Sequence, residues 1–101
     1  MPAKPKLRPV DPKWVQHRGQ PYLFLRDPLK LSEKTVLVPQ YLVPLLALCD
    51  GTRDLTALRT SLALRAGIEL PPSQVRKFIA ELGAAFVLDS DKYRQAAADA
   101  L

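Results

Sequence analysis

Ten prolines divide this chain of 101 residues, and their positions limit what each segment can become. Proline fixes φ and has no N–H to donate. It therefore suits extended leads, turns and the first turn of a helix, and is excluded from helix interiors and central strands. Pro2, Pro5, Pro9 and Pro12 all fall within residues 1–13, which read as an extended, polyproline-II-like lead-in carrying Lys4, Lys6 and Arg8. A basic, proline-rich leader of this kind is expected to be a solvated tail.

Between Trp14 and Val38 the pattern is that of short strands. Trp14–Arg18 is rich in strand formers, and Gly19-Gln20-Pro21 is turn chemistry. Tyr22–Arg26 alternates large apolar side chains and is broken by Asp27-Pro28. Leu31–Lys34 connects to a third strand, Thr35–Val38. Short connections make an antiparallel meander the simplest topology.

At Pro39 the pattern becomes helical. Pro39-Gln40 opens a first helix that runs to about Cys49, has no polar face, and stops at Asp50-Gly51. Asp54 caps a second helix with Leu55, Leu58, Leu62 and Ala66 at helical spacing, ended by Gly67. Pro72 starts a third, in which Val75, Phe78, Ile79, Leu82 and Phe86 form an apolar stripe. Asp89 or Ser90 caps a last helix, Asp91–Leu101, with Tyr93, Ala96, Ala97 and Leu101 on one face. It carries no stop signal, which suggests continuation into a further, covalently linked domain; a frayed terminus is the alternative. The expected fold is α+β: a three-stranded antiparallel meander followed by a three-helix bundle. The expected division is a lead-in at 1–13, a folded domain at 14–88 and a C-terminal linker helix at 89–101.

The residues give no sign of catalysis. His17 is the sole histidine and Cys49 the sole cysteine, at the end of an apolar helix where packing explains it. The carboxylates of Asp27, Glu33, Asp50, Asp54, Glu69, Glu81 and Asp89 are scattered among turns, caps and a helix surface. Gly19, Gly51, Gly67 and Gly83 are isolated and form no phosphate loop. No enzyme activity, cofactor or metal is expected. No apolar run is long enough to span a bilayer, and cytoplasmic residence is the default.

Two features point to binding. Arg76, Ala80, Gly83 and Val87 recur at helical spacing on a second stripe of the third helix, flat enough for another backbone to approach. The third strand, Thr35, Val36, Leu37 and Val38, has an open edge if the sheet order follows the sequence. An edge beside a flat helix flank is a slot for an added peptide strand. The net charge of +5 would favour an acidic partner segment, through steering more than affinity.

The order of three strands and three helices, with Gly19 before Tyr22-Leu23-Phe24-Leu25 and the junction Asp50-Gly51-Thr52-Arg53-Asp54-Leu55, resembles the PqqD-like fold. That module, also called the RiPP precursor recognition element, is winged-helix-like. The resemblance covers roughly residues 8–90 and implies that a leader peptide is bound as an extra strand between the third strand and the third helix. The runs Leu25–Ser32 and Leu45–Leu55 are further similar to the segment preceding the Memo-like domain in bacterial AmmeMemoRadiSam system proteins. Those systems pair a Memo-like protein with an AMMECR-like protein and a radical SAM enzyme. The Memo-like domain's metal-site histidines have no counterpart here, so the resemblance implies partner recognition rather than catalysis.

Two other readings compete. Winged-helix-like modules often bind DNA, but Arg59 and Arg65 diverge on the second helix, and Arg76 and Lys77 are opposed by Glu81; a nucleic-acid role is disfavoured. The apolar first helix and the last helix also suit a structural dock or a dimer contact.

Overall fold

The computed structural model describes residues 4–100. Three antiparallel strands, β1 (Lys13–His17), β2 (Gln20–Arg26) and β3 (Thr35–Pro39), form a sheet of order β1-β2-β3. Arg18 and Gly19 join β1 to β2, both at positive φ (52° and 77°). That is the two-residue type I′ hairpin turn, whose twist matches that of the flanking strands. Arg18 is thus in the turn and not in the strand expected to include it, and β2 begins two residues earlier than expected.

A 3-10 turn at Gln40–Leu42 leads into α1 (Val43–Leu48), followed by α2 (Leu55–Ala66), α3 (Pro72–Ala84) and α4 (Asp91–Asp99). The caps are those the sequence announces. Asp54 accepts the Ala57 amide at 2.8 Å, Ser90 accepts the Tyr93 amide at 3.2 Å, and Gly67 ends α2 at φ 68°. α1 packs on α2 and α2 on α3. Leu23, Leu25, Val36 and Val38 of the sheet meet Leu45, Leu58, Leu62, Val75, Ile79 and Leu82 in one core. The helical stretch after β3 is not buried all round: Tyr41 of the 3-10 turn and Pro44 and Ala47 of α1 are exposed, as is Ala66 at the end of α2.

The third helix is shorter than its apolar stripe suggests. Phe86 adopts φ 57°. Its amide donates to Gly83 O, and the Val87 amide donates to Leu82 O, each at 3.1 Å. This is a Schellman ending with phenylalanine where glycine is usual. Phe86 therefore leaves the helical stripe, and Val87 is not on a helix flank at all but fully buried.

The larger correction is at the front. Pro5 is fully buried, and residues 5–8 run between the α1–α2 junction and the segment after α3. Leu7 donates to Cys49 O (2.8 Å) and Arg8 to Val87 O (2.9 Å). In return Gly51 donates to Pro5 O (3.0 Å) and Asp89 to Lys6 O (2.8 Å). This arm is part of the fold, not a solvated tail. Pro5 and Pro9 flank Leu7 and Arg8, the two residues whose amides are needed, so neither interrupts the pairing. Leu101, assigned to the face of the last helix, lies outside the described residues.

Arg8 makes the arm's main side-chain anchor. Its guanidinium donates to the Asp27 carboxylate at 3.1 Å and to the Phe86 carbonyl, and lies 3.4 Å from the centre of the Tyr93 ring. Asp27, 1% exposed, also accepts the amides of Leu29 (3.1 Å) and Leu31 (2.7 Å). Burial alone would push its carboxyl up; the two amides and Arg8 outweigh this and hold it below the ordinary aspartate value. Four separate segments thus meet at one ion pair. Among the described residues no buried side-chain polar atom lacks a partner.

Candidate functional site

Because β3 is the last strand in the sheet order, one of its edges is unpaired. That edge faces a groove of about 460 Å³ lined by Glu33 to Leu37 on one side and Glu81 and Ala84 on the other. Ser32 fixes its width at one end: its hydroxyl donates to Ala84 O at 2.9 Å and accepts the Lys34 amide at 3.2 Å. The strand entry and the end of α3 are thereby tied together. The five residues of β3 offer an edge roughly 17 Å long.

Within β3 the four expected residues divide by face. Val36 (6% exposed) and Val38 (0%) point into the core, while Thr35 and Leu37 are exposed. Val36 and Val38 therefore offer main chain, not side chains, to anything bound at the edge, and a bulky replacement of Val36 would disrupt the core rather than block the groove.

The four expected helix residues are not in this groove. At 100° per residue, Glu81 lies about 160° from Gly83 around α3, which separates the two flanks. Ala80 and Gly83 line a different groove, between α3 and the start of α4, with Asp89–Lys92 and Arg94. Arg76 is exposed and lines neither, and Val87 is in the core. Ala84 borders both grooves. The residues sequence reasoning missed are Glu81 and Ala84. A close count of residue angles would have found them, had the flank facing β3 been known.

The electrostatics also differ from expectation. Glu33 and Glu81 outnumber Lys34 along the groove, so the chain's excess of positive charge is not expressed there and an acidic guest does not follow. In the α3–α4 groove, Arg94 bonds Asp89 at 2.9 Å, holding that carboxyl below its usual value. On α2, Arg59 donates to Leu70 O at 2.9 Å and is committed to an internal bond. Cys49 is 3% exposed and donates to Leu45 O at 3.3 Å. Burial, with a contribution from the Asp50 charge, pushes its thiol up to about 11, a poor value for a nucleophile. Among the described residues no helix is long and apolar enough to cross a membrane.

No family model matches this chain, and no solved structure matches it. A protein of Aquifex aeolicus (strain VF5) described as a MEMO1 family protein is 31% identical to it over 90 residues. The matched stretch covers 89% of this chain but 23% of that relative. The chain is thus similar, over nearly its whole length, to less than a quarter of a MEMO1 family protein.

Proposed function

We propose that this chain is a non-catalytic recognition domain, PqqD-like and winged-helix-like in plan, that takes an extended segment of a partner as a fourth strand on β3. The observation that carries this reading is the unpaired β3 edge facing an open groove whose far wall is α3. A guest there gains main-chain hydrogen bonds from β3 and side-chain selection from Thr35, Leu37, Glu81 and Ala84. The mixed charge of the groove suits a neutral or weakly basic guest. The likeness to part of a MEMO1 family protein supports a setting in a radical SAM-associated, AmmeMemoRadiSam-type modification system, where such a domain would present a partner to a catalytic subunit.

The test is titration of the chain with roughly ten-residue peptides carrying β-branched residues at alternate positions, in acidic, neutral and basic versions. Amide shifts should concentrate at Thr35–Val38 and around Glu81–Ala84. Ala84→Trp, which fills the groove from its rim, should weaken binding at least tenfold while leaving the far-ultraviolet circular dichroism unchanged. Shifts centred on α2, or indifference to Ala84→Trp, would refute the site.

A further inference from the structure

The helices cover one face of the sheet. Leu23, Leu25, Val36 and Val38 point toward them, so the intervening residues point the other way. On an antiparallel sheet with one solvated face such positions are normally polar. Here the register sets Val15, Tyr22 and Pro39 side by side in one row, and Phe24 beside Leu37 in the next. Leu37 is 42% exposed and the other four are half-buried. Strands ~4.8 Å apart and same-face residues ~7 Å apart make these a continuous apolar island.

The island has a basic border. Lys13 ends the Phe24 row and Arg26 lies beyond it on β2; at the opposite end stand His17 and, in the hairpin turn, Arg18. All four are exposed. No strand residue on this face is acidic; Asp27, next after Arg26, is buried and paired with Arg8, and Asp11 and Glu33 precede β1 and β3. A groove of about 340 Å³ opens from the same face between Tyr22, Pro39 and Tyr41, with Tyr41 58% exposed.

We propose that this outer face docks an amphipathic helix of a partner protein, with its apolar stripe flanked by acidic side chains. Gln20 to Arg26 spans roughly 20 Å, the length of a helix of about 14 residues. Carboxylates near its two ends would meet Arg26 and Lys13 at one end and Arg18 at the other. One apolar anchor would fill the Tyr22–Pro39–Tyr41 groove, where a buried side chain carries the most binding energy. Single-stranded nucleic acid suits the face less well. Val15, Leu37 and Pro39 offer no aromatic stacking surface, and His17 already meets Tyr22 edge-on at 5.5 Å.

The experiment uses the whole chain and a helical peptide of roughly 14 residues with a leucine stripe and glutamate flanks. Controls are the same stripe with lysine flanks and an oligouridylate. Saturable shifts at Val15, Tyr22, Phe24 and Leu37 with the acidic peptide are expected, weakening as salt is raised. Lys13→Glu combined with Arg26→Glu changes only exposed groups and should lower affinity at least tenfold; Phe24→Asp, with circular dichroism as the fold control, should abolish binding. The inference is overturned if the lysine-flanked peptide binds as well, if the oligouridylate binds more tightly on this face, or if the shifts fall only on the β3–α3 groove. It is also overturned if sedimentation shows the face buried in a dimer. Phe24 lies on the central strand, so its replacement leaves strand addition at β3 intact and the two readings fail separately.

Discussion

Asp27→Asn keeps the size of the side chain and removes its charge from a site that is 1% exposed. The asparagine oxygen retains one of the Leu29 and Leu31 amides. Its NH2 group, however, faces a donor: the Leu31 amide in one orientation, the Leu29 amide and the Arg8 guanidinium in the other. Arg8, itself 8% exposed, then loses its counter-ion. Breaking a buried pair from one side costs about 3–5 kcal/mol. Arg8 keeps the Phe86 carbonyl and the Tyr93 ring, which favours the lower end of that range. Against a total stability of about 5–15 kcal/mol for a domain of this size, the loss is large. At about 4–8 °C per kcal/mol, Tm should fall by roughly 12–24 °C for a loss of 3 kcal/mol.

Urea titration followed by circular dichroism measures this, with the m-value checking that both proteins unfold in the same way. A loss under about 1 kcal/mol would refute the ion pair as the junction of the fold. The pH dependence is a second check. Asp27 is held below its unfolded value, so its contribution is complete above about pH 4 and lost as pH falls through the lower folded value. The gap between the wild type and Asp27→Asn should therefore narrow in acid. Asp50 and Asp89, also depressed, are common to both proteins and cancel. A gap that stays constant into strong acid would mean that packing, and not charge, is responsible.

Gly83→Ala should stabilise the chain by about 0.5–1 kcal/mol, because a Cβ there meets nothing within 4 Å and glycine weakens a helix; thermal unfolding checks it. The same change should leave peptide binding at β3 unaltered, since Gly83 faces the other groove. Cys49, with its thiol near 11 and 3% exposed, should resist a disulfide reagent at pH 8 in the native protein and react on unfolding; rapid native labelling would contradict its placement. Removing residues 1–8 deletes the arm's four main-chain hydrogen bonds and Arg8, and should speed amide exchange in α4, which Tyr93 links to Arg8, more than in β2.

The meander and the helix caps were legible because each is a local decision. Gly19 permits the hairpin, Asp54 and Ser90 cap by reaching three residues ahead, and Gly67 takes the left-handed ending. The arm was not legible, because its proline content is that of a solvated leader and its partners lie some 40 and 80 residues away. Asp27 reads in sequence as a strand breaker, and it is one: its carboxylate organises the turn through Leu29 and Leu31. That it is also buried, and so requires a cation, is a tertiary fact, and the fifteen lysines and arginines offer no way to select Arg8. The candidate site was half legible. The open β3 edge follows from strand order, whereas the helix flank facing it depends on the angle at which α3 crosses, and the small-residue stripe proved to face α4.

The two candidate surfaces are built differently and meet at Leu37. At the β3 edge a partner is read mainly by main chain, in a groove where acidic residues outnumber the basic one. On the outer face it is read by side chains, within a basic border. Leu37 belongs to both, since it lines the groove and also stands beside Phe24 in the apolar island. A guest strand on β3 would not cover the outer face. It would extend the sheet by one strand, about 4.8 Å, and add its own outward side chains beyond Leu37 and Pro39. A helix on the enlarged platform would bury more surface, so occupancy of the edge should strengthen binding at the face, and linkage requires the reverse to the same degree. The opposite charge preferences of the two surfaces would keep their partners distinct.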